Sequence, residues 1–425
     1  MKKLIFLILA FAGVTAQAKV YNVRDFGAAG DGVQIDSPAV NEAIDAAFTD
    51  GGGVVYFPDG VYSCYSIRLK DDITLRLADG AVIKAAAPTA EQGYDLPEPN
   101  EWDAYQDFGH SHWKNSLIWG MDLENITIEG RGLIDGTGVL SRGVPRKGSF
   151  AEANKAIALK NCRNVKITDC VVNTLNDDAI VLKSSYGLGW AKPTENVLIK
   201  NCLVSGYDPG TVMDGSFGTS ITAAPDRDGP TGRIKFGTES NGGFKNIVIR
   251  NCEFKRCRGL AFETVDGGLI ENISVKGIVM DDIWNSPIYI RVGDRMRGPE
   301  GLPASAARNI EISDVRVTNC DSRYALLIVG LPDSPVENVS LKNISIQYKG
   351  GLTKDDVREQ RGSNSFFFGR NNGYPEPSAH GIQPAWGLSM QHARNISFKN
   401  VEMELMQPDE REKIYLKDVE NFSWE

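Results

Sequence analysis

Short runs in which apolar and polar residues alternate recur along most of this chain. Each run follows one phrase: asparagine, aliphatic, variable, aliphatic, variable, turn residue. The phrase begins at eight positions: Asn125, Asn164, Asn196, Asn246, Asn272, Asn309, Asn338 and Asn395. A fragment opens again at Asn421. The turn residues are Gly130, Asp169, Asn201, Asn251, Gly277, Asp314, Asn343 and Asn400. Alternation with a period of two indicates short strands separated by polar turns.

The spacing of the repeats predicts how these strands are arranged. Most repeats start 26 to 39 residues after the preceding one, with two larger gaps of 50 and 57 residues. A strand this short cannot bury a face alone, whereas stacked coils share a continuous interior. Asparagine suits the corner because it tolerates the left-handed conformation and can hydrogen-bond to the next coil. We therefore predict an all-β fold, a single-stranded right-handed parallel β-helix, over residues 19–425. The constant internal spacing argues against a β-sandwich.

The first coils have a different pattern, which predicts an N-terminal cap over residues 19–88. A strand at 20–26 and a glycine-rich turn precede a predicted helix at 37–48, with Asp36 or Ser37 as its N-cap. A helix here would cover the open end of the solenoid. Three longer interruptions, at 89–114, 207–231 and 349–384, are predicted loops that wall a groove on one side of the solenoid.

The N-terminus and the composition limit the setting and the partners. Residues 1–18 combine two lysines, an apolar run and a small-residue site, so we expect an exported, periplasmic or extracellular protein with a signal peptide cleaved near Ala18. We expect no stable membrane span. Lysine and arginine number 46 against 55 acidic residues, and no basic stripe indicates nucleic-acid binding. We expect a monomer.

The cysteines and metal-binding motifs indicate neither disulfides nor a metal site. The seven cysteines are an odd number, and four of them follow an asparagine, which suggests a repeat position. We interpret them as small buried residues of the coils rather than bridges. No zinc-type spacing is present, so we predict no metal and no cofactor.

Four predicted strands can be aligned in register with one another, because the chain length from Phe236 to Asn246 equals that from Phe262 to Asn272. The stack comprises residues 178–184, 232–238, 258–264 and 286–292. Side chains alternate between the faces of a strand. The predicted inward residues are Ile180, Leu182, Ile234, Phe236, Leu260, Phe262, Ile288 and Ile290. The predicted outward residues are Val181, Lys183, Arg233, Lys235, Glu263, Tyr289 and Arg291, with Asp177 and Asp178 at the entry of the first strand.

This outward surface gathers the groups that glycoside hydrolysis needs: one carboxylic acid that protonates the leaving oxygen and a second carboxylate. The catalytic candidates are Asp177, Asp178 and Glu263. The candidates for substrate binding are Lys183, Arg233, Lys235, Tyr289, Arg291 and, in the first interruption, His110. A structural alternative is a surface ion-pair ladder, in which Glu263 pairs with Arg291 and Lys183 neutralises the aspartates.

The same residues resemble family 28 of the glycoside hydrolases, the polygalacturonases, within the pectin-lyase-like β-helix superfamily. Residues 176–184, Asn-Asp-Asp-Ala-Ile-Val-Leu-Lys-Ser, are similar to the family's Gly-Asp-Asp-Cys-Ile-Ala-Ile-Lys-Ser segment. Residues 132–136, Gly-Leu-Ile-Asp-Gly, resemble its Gly-x-Ile-Asp-Gly signature. The resemblance covers most of the chain. It implies that Asp177 and Asp178 belong to an inverting catalytic set.

Three other motifs of that family are altered here, which marks a divergent member. Asn173-Thr174 is followed by Leu175 instead of the aspartate of an Asn-Thr-Asp motif. Gly232 takes the place of the histidine in Gly-His-Gly, and 261–263 reads Ala-Phe-Glu where the family has an Arg-Ile-Lys motif that holds a uronate carboxylate. The acid and base can therefore be reassigned, for example Asp178 as acid with Glu263 or Asp177 as base.

The leading hypothesis is a secreted hydrolase of a complex, branched pectic polysaccharide. A polysaccharide lyase or epimerase on the same scaffold is the first alternative, with Lys183, Arg233 or Lys235 near the reacting uronate. A glycan-binding protein without catalysis is the second. The sequence leaves the sugar and linkage, exo or endo action, and the stereochemistry open.

Overall fold

A computed structural model describes residues 18–96, 101–105, 113–136, 139, 155–223, 229–357 and 374–425. The described residues form one α-helix, α1 (Ser37–Thr49), which lies between the second and third strands. In chain order the strands are β1 (Val20–Asn22), β2 (Asp31–Ile35), β3 (Gly53–Phe57), β4 (Gly60–Cys64), β5 (Ile67–Arg68), β6 (Ile73–Leu77), β7 (Ala81–Ala85), β8 (Ile118–Met121), β9 (Glu124–Glu129), β10 (Leu133–Asp135), β11 (Ile157–Lys160), β12 (Arg163–Thr168), β13 (Val171–Asn173), β14 (Ile180–Lys183), β15 (Thr194–Lys200), β16 (Leu203–Ser205), β17 (Ile234–Phe236), β18 (Phe244–Cys257), β19 (Leu260–Thr264), β20 (Leu269–Ile283), β21 (Ile288–Val292), β22 (Ala306–Cys320), β23 (Leu326–Val329), β24 (Val336–Tyr348), β25 (Ala385–Leu405) and β26 (Glu412–Trp424). Short 3-10 turns lie at Val23–Phe26, Asp103–Tyr105, Trp113–Asn115, Lys354–Asp356 and Pro377–His380.

Each strand pairs in parallel with the equivalent strand of the next coil, which confirms the predicted parallel β-helix. One column of strands, here called the front face, runs through β5, β8, β11, β14, β17, β19, β21 and β23 into the first residues of β25. A second column runs through β3, β6, β9, β12, β15 and β18, and a third through β4, β7, β10, β13 and β16.

The asparagines of the repeat form ladders along the corner before the second column. All eight of them have positive φ, for example 57° at Asn164 and 55° at Asn246. Their amides donate from coil to coil: Asn196 to Asn164 at 3.2 Å, and Asn246 to Asn196 at 3.1 Å. Both properties predicted for these corners are therefore confirmed. Because the exchanged groups are identical from rung to rung, the ladder fixes the register of successive coils.

The interior is one continuous apolar cluster that extends from the first coil to the last. The rings of Phe236 and Phe262 stack in it at a centroid distance of 4.6 Å, directly beneath the front face. The seven cysteines are all buried and unbridged, as predicted. The thiol of Cys162, for example, donates to the carbonyl of Lys160 at 3.3 Å. These residues serve as packing units of the coils.

The predicted helix at 37–48 is confirmed as α1, which packs its buried side chains against the first strands. Its N-cap residue, Asp36, makes no capping hydrogen bond within the helix. The Asp36 carboxylate instead accepts from the backbone N–H groups of Ala29 and Gly30 at 2.7 and 3.1 Å. Asp36 therefore joins the glycine-rich turn to the start of α1.

The connections that contain the three predicted interruptions all enter front-face strands. They join β7 to β8, β16 to β17, and β24 to β25. A fourth long connection, from β10 to β11, enters the same face and was not among the predicted interruptions. Longer chain segments therefore collect beside one column of strands. Residues 1–17, where the signal peptide is expected, lie outside the described part of the chain. Among the described residues, no helix is long and apolar enough to cross a membrane.

Candidate active site

The front-face strands align as the sequence predicted. Ile180 pairs with Ile234, Phe236 with Phe262, and Leu260 with Ile288. All eight predicted inward residues lie in the apolar interior. Of the outward residues, Val181 and Tyr289 belong to two small clusters separate from that interior. The strands therefore present the predicted polar side chains together on one outward surface.

That surface is not exposed to solvent, contrary to the expectation. Lys183, Arg233, Lys235, Glu263 and Arg291 are each at most 3% exposed. The reason is that residues of the β24–β25 connection lie against the front face. Glu376, Tyr374 and His380 of this connection all contact front-face side chains. The polar groups consequently interact in a medium of low polarity, where each charge needs a partner.

Asp177 and Asp178 lie at the entry of β14, and both are buried. Lys155 Nζ is 2.5 Å from Asp177 Oδ1 and 3.9 Å from Asp178 Oδ2. Arg233 Nε donates to Asp178 Oδ1 at 2.7 Å. In the ion-pair alternative Lys183 neutralises the aspartates, but Lys183 lies 3.7 Å from Glu239, and Lys155 of the preceding coil is the lysine beside the aspartates.

The positive charges determine the ionisation of Asp178. Burial alone would raise its pKa, but Arg233, Lys235 and Lys155 outweigh this effect and lower the pKa well below its ordinary value. Burial lowers the pKa of Lys155 more than the two aspartates raise it. The surrounding cations therefore favour the carboxylate form of Asp178.

Glu263 has the opposite environment. Lys235 Nζ lies 2.9 Å from Glu263 Oε2 as an ion pair, and neither carboxyl oxygen accepts a hydrogen bond from the described residues. Burial raises the pKa of Glu263 to about 7, against the opposing charges of Lys235 and Arg233. The alternative pairing of Glu263 with Arg291 is wrong. The two residues are register neighbours, but Lys235 from the preceding rung is the ion-pair partner.

Glu376 bridges two arginine side chains, those of Arg233 and Arg258. Its Oε1 accepts from Arg233 Nη1 at 3.0 Å and Arg258 Nη1 at 2.7 Å, and its Oε2 accepts from Arg233 Nη2 at 2.7 Å. Asn285 Nδ2 adds a fourth contact, at 3.3 Å. Arg291 is also buried, and burial lowers its pKa. It makes no ion pair or hydrogen bond with any residue in the described ranges.

Aromatic residues complete the site. Tyr289 is buried and its hydroxyl lies 2.7 Å from His380 Nε2. Lys235 Nζ donates to the Tyr374 hydroxyl at 3.2 Å and lies 5.0 Å from the centre of its ring. Trp190 is 53% exposed. His110 lies outside the described residues. The described residues contain no group of three histidine, cysteine, aspartate or glutamate side chains placed to hold a metal ion.

Several residues of this site were missed from the sequence, among them Lys155, Arg258 and Glu376. Residues 157–160 read Ile-Ala-Leu-Lys and 180–183 read Ile-Val-Leu-Lys, a match that would have added the coil of Lys155 to the stack. Arg258 lies in the predicted stack but at the beginning of its strand, before the alternation starts. Glu376 lies outside the repeats, so no periodicity points to it.

The comparisons with known proteins agree with this fold. The family model for rhamnogalacturonase A/epimerase, pectate lyase-like, matches residues 20–258. A probable polygalacturonase from Vitis vinifera is 22% identical over 407 residues, covering 80% of this chain and 76% of its own length. A mannuronan C5-epimerase from Azotobacter vinelandii is 45% identical over 73 residues, which are 17% of this chain and 4% of that protein.

A solved structure extends the fold likeness over nearly the whole chain. The family 28 exopolygalacturonase of Yersinia enterocolitica covers 96% of this chain and 78% of its own, with a TM-score of 0.52 and 15% identity. The match of the family model to more than half of the residues gives the assignment. This chain belongs to the rhamnogalacturonase A/epimerase, pectate lyase-like family, as a polygalacturonase-like protein of the pectin-lyase fold.

Proposed function

We propose that this protein hydrolyses a glycosidic bond of an acidic pectic polysaccharide, with Glu263 as general acid and Asp178, assisted by Asp177, as general base. One observation carries the proposal. Two buried carboxyl groups on the front face have pKa values displaced in opposite directions, Glu263 upward to about 7 and Asp178 well downward. Carboxyl groups separated in this way can supply one proton donor and one carboxylate at the same pH.

The position of β17 between the two carboxyl groups supports this assignment. Arg233 immediately precedes β17 and Lys235 lies within it, so the two residues are two positions apart, roughly 7 Å along the chain. Arg233 contacts Asp178 on the side of β14, and Lys235 contacts Glu263 on the side of β19. A sugar placed over β17 would therefore meet one carboxyl group from each side. Hydrolysis with inversion requires this arrangement, with room for a water molecule beside the base.

The altered motif at residues 261–263 is compatible with an acidic substrate in this arrangement. Below pH 7 Glu263 is largely protonated, so it does not repel a uronate carboxylate. Six cationic side chains of the site, Lys155, Lys183, Arg233, Lys235, Arg258 and Arg291, are all buried. The relatives named polygalacturonase support a pectic substrate.

The test is to incubate the mature protein with polygalacturonate, rhamnogalacturonan and neutral polysaccharides, and to record reducing ends and ultraviolet absorbance together. New reducing ends without absorbance, lost in Glu263→Gln and Asp178→Asn, are expected. Asp36→Asn, which alters a buried carboxylate of the cap, is the matched control and should remain active. Ultraviolet-absorbing products would contradict hydrolysis and favour the lyase alternative.

Isomerised uronate without cleavage would favour an epimerase, a class to which part of the chain is similar. Proton NMR of the recovered polymer detects this reaction. Binding without any change in the polymer would favour a glycan-binding protein.

A further inference from the structure

Two residues of the β24–β25 connection, Tyr374 and Glu376, contact the cationic side chains of Lys235 and Arg233. Glu376 binds Arg233 through both carboxyl oxygens, and the Tyr374 hydroxyl and ring contact Lys235. These are the positions that the proposed substrate would need, so the connection and the substrate cannot both occupy them. We call residues 374–380 the strap.

The contacts of Glu376 are those of a bound carboxylate ligand. Four hydrogen bonds reach its two oxygens from Arg233, Arg258 and Asn285, and the side chain is 5% exposed. A guanidinium that meets both oxygens in parallel is the geometry with which proteins recognise carboxylates of any origin. Burial opposes the ionisation of Glu376, but Arg233 and Arg258 outweigh it, so the pKa of Glu376 is lowered.

The charge of the front face points to an anion as the group that replaces Glu376. The buried charged residues around β17 are Lys155, Asp177, Asp178, Lys183, Arg233, Lys235, Glu239, Arg258, Glu263, Arg291 and Glu376. With the strap in place, six cations face five carboxyl groups. Withdrawal of Glu376 removes one ion-pair partner from Arg258 and one from Arg233, which keeps Asp178. The same set then contains six cations and four carboxyl groups, a larger excess of positive charge, in a chain whose net charge is −9.

We propose that Glu376 is an internal competitor that occupies the carboxylate subsite formed by Arg233, Arg258 and Asn285, and that an acidic sugar unit binds there by displacing the strap. This inference rests on the proposed function for the identity of the site, and adds how access to it is controlled. Tyr374 on Lys235 is displaced in the same movement. At the other end of the strap, His380 contacts Tyr289.

The expected effect follows from mass action. A ligand that binds only the open form has its apparent affinity reduced by the fraction of molecules that are open. Glu376→Gln keeps the shape of the side chain but removes the charge that holds the two arginines. We therefore expect trigalacturonate to bind the Glu376→Gln variant at least tenfold more tightly than the protein that retains Glu376. Neutral galactotriose should bind both forms equally.

Isothermal titration calorimetry with trigalacturonate and galactotriose tests this, with Glu263→Gln present in every variant so that no cleavage occurs. Asp36→Asn is the control for the loss of a buried carboxylate elsewhere and should leave both affinities unchanged. Unchanged or weaker trigalacturonate binding in Glu376→Gln would overturn the inference. Equal tightening for galactotriose would also overturn it, because the strap would then exclude any sugar and not compete as an anion.

Hydrogen–deuterium exchange of the protein with its own Glu376 gives a second readout that needs no change to the strap. On addition of trigalacturonate, exchange should become faster in residues 374–383 and slower in β17 and β19. Slower exchange in the strap would show that it closes over the ligand, which contradicts competition. Tighter binding without any hydrolysis in the activity assay would refute the proposed function alone. Hydrolysis with an unaltered Glu376→Gln affinity would refute this inference alone.

Discussion

Glu263→Gln is the substitution whose consequences follow most directly from the structure. Glu263 is fully buried, and its pKa rises from 4.5 to about 7 on folding. Between these two values the folded state binds a proton more strongly than the unfolded state, so stability falls as the pH rises. A shift of this size corresponds to about 3 kcal/mol. Glutamine cannot ionise and escapes this loss.

The free energy of unfolding should therefore respond to pH differently in the two proteins. From pH 4 to pH 8, Glu263→Gln should gain about 3 kcal/mol relative to the unsubstituted protein, with most of the change between pH 5 and 7. Urea denaturation at one-unit pH intervals measures the difference. Other titrating groups are common to both proteins and largely cancel in the comparison.

The rate of catalysis should also depend on the ionisation of Glu263. Without the proton donor, kcat should fall by about 10²- to 10⁴-fold. The unsubstituted enzyme should lose kcat/KM above pH 7 as Glu263 ionises. A stability difference that is constant with pH, or that changes in the opposite direction, would refute the assignment of a raised pKa to Glu263. It would mean that Lys235 stabilises the carboxylate more than burial destabilises it.

Three further predictions concern other parts of the molecule. Asp178→Asn should lower kcat by about 10²- to 10⁴-fold, measured by reducing-end release; a rate within threefold of the original would exclude Asp178 as the base. Asn246→Ala should cost about 2 kcal/mol in urea denaturation, and Asn246→Gly less, because alanine disfavours the φ of 55°; equal costs would attribute the whole effect to the lost ladder hydrogen bonds. All seven cysteine thiols should be inert to a thiol reagent in the folded protein and reactive in urea, because they are buried and unbridged; fast labelling of the folded protein would contradict the packing.

The arrangement of the coils could be predicted because it depends on local patterns that recur. Asn246 and the equivalent asparagines each form the same left-handed corner. The register of β17 with β19 follows from the equal lengths of chain between each strand and its corner. That register correctly placed Arg233, Lys235 and Glu263 on one face. Each of these steps needs only the alternation of side chains and a fixed turn.

The partners of the charged residues could not be predicted, because they depend on residues outside the repeat. Glu376 lies 143 residues after Arg233 in a connection with no periodicity. Without it, the front face appeared open to solvent, and Arg291 appeared the natural partner of Glu263. Lys235 pairs with Glu263 from the preceding rung, a contact that the alignment of strands does not reveal.

The asparagine ladders have a consequence for how such proteins diversify. Successive asparagine corners are separated by as few as 26 and as many as 57 residues, yet Asn395 donates to Asn338 at 3.1 Å across 57 residues and Asn421 donates to Asn395 at 3.0 Å across 26 residues. A connection can therefore lengthen or shorten without altering the rungs that it joins. Grafting the β24–β25 connection of another member between Tyr348 and Ala385 should preserve the solenoid and exchange only the chemistry above it.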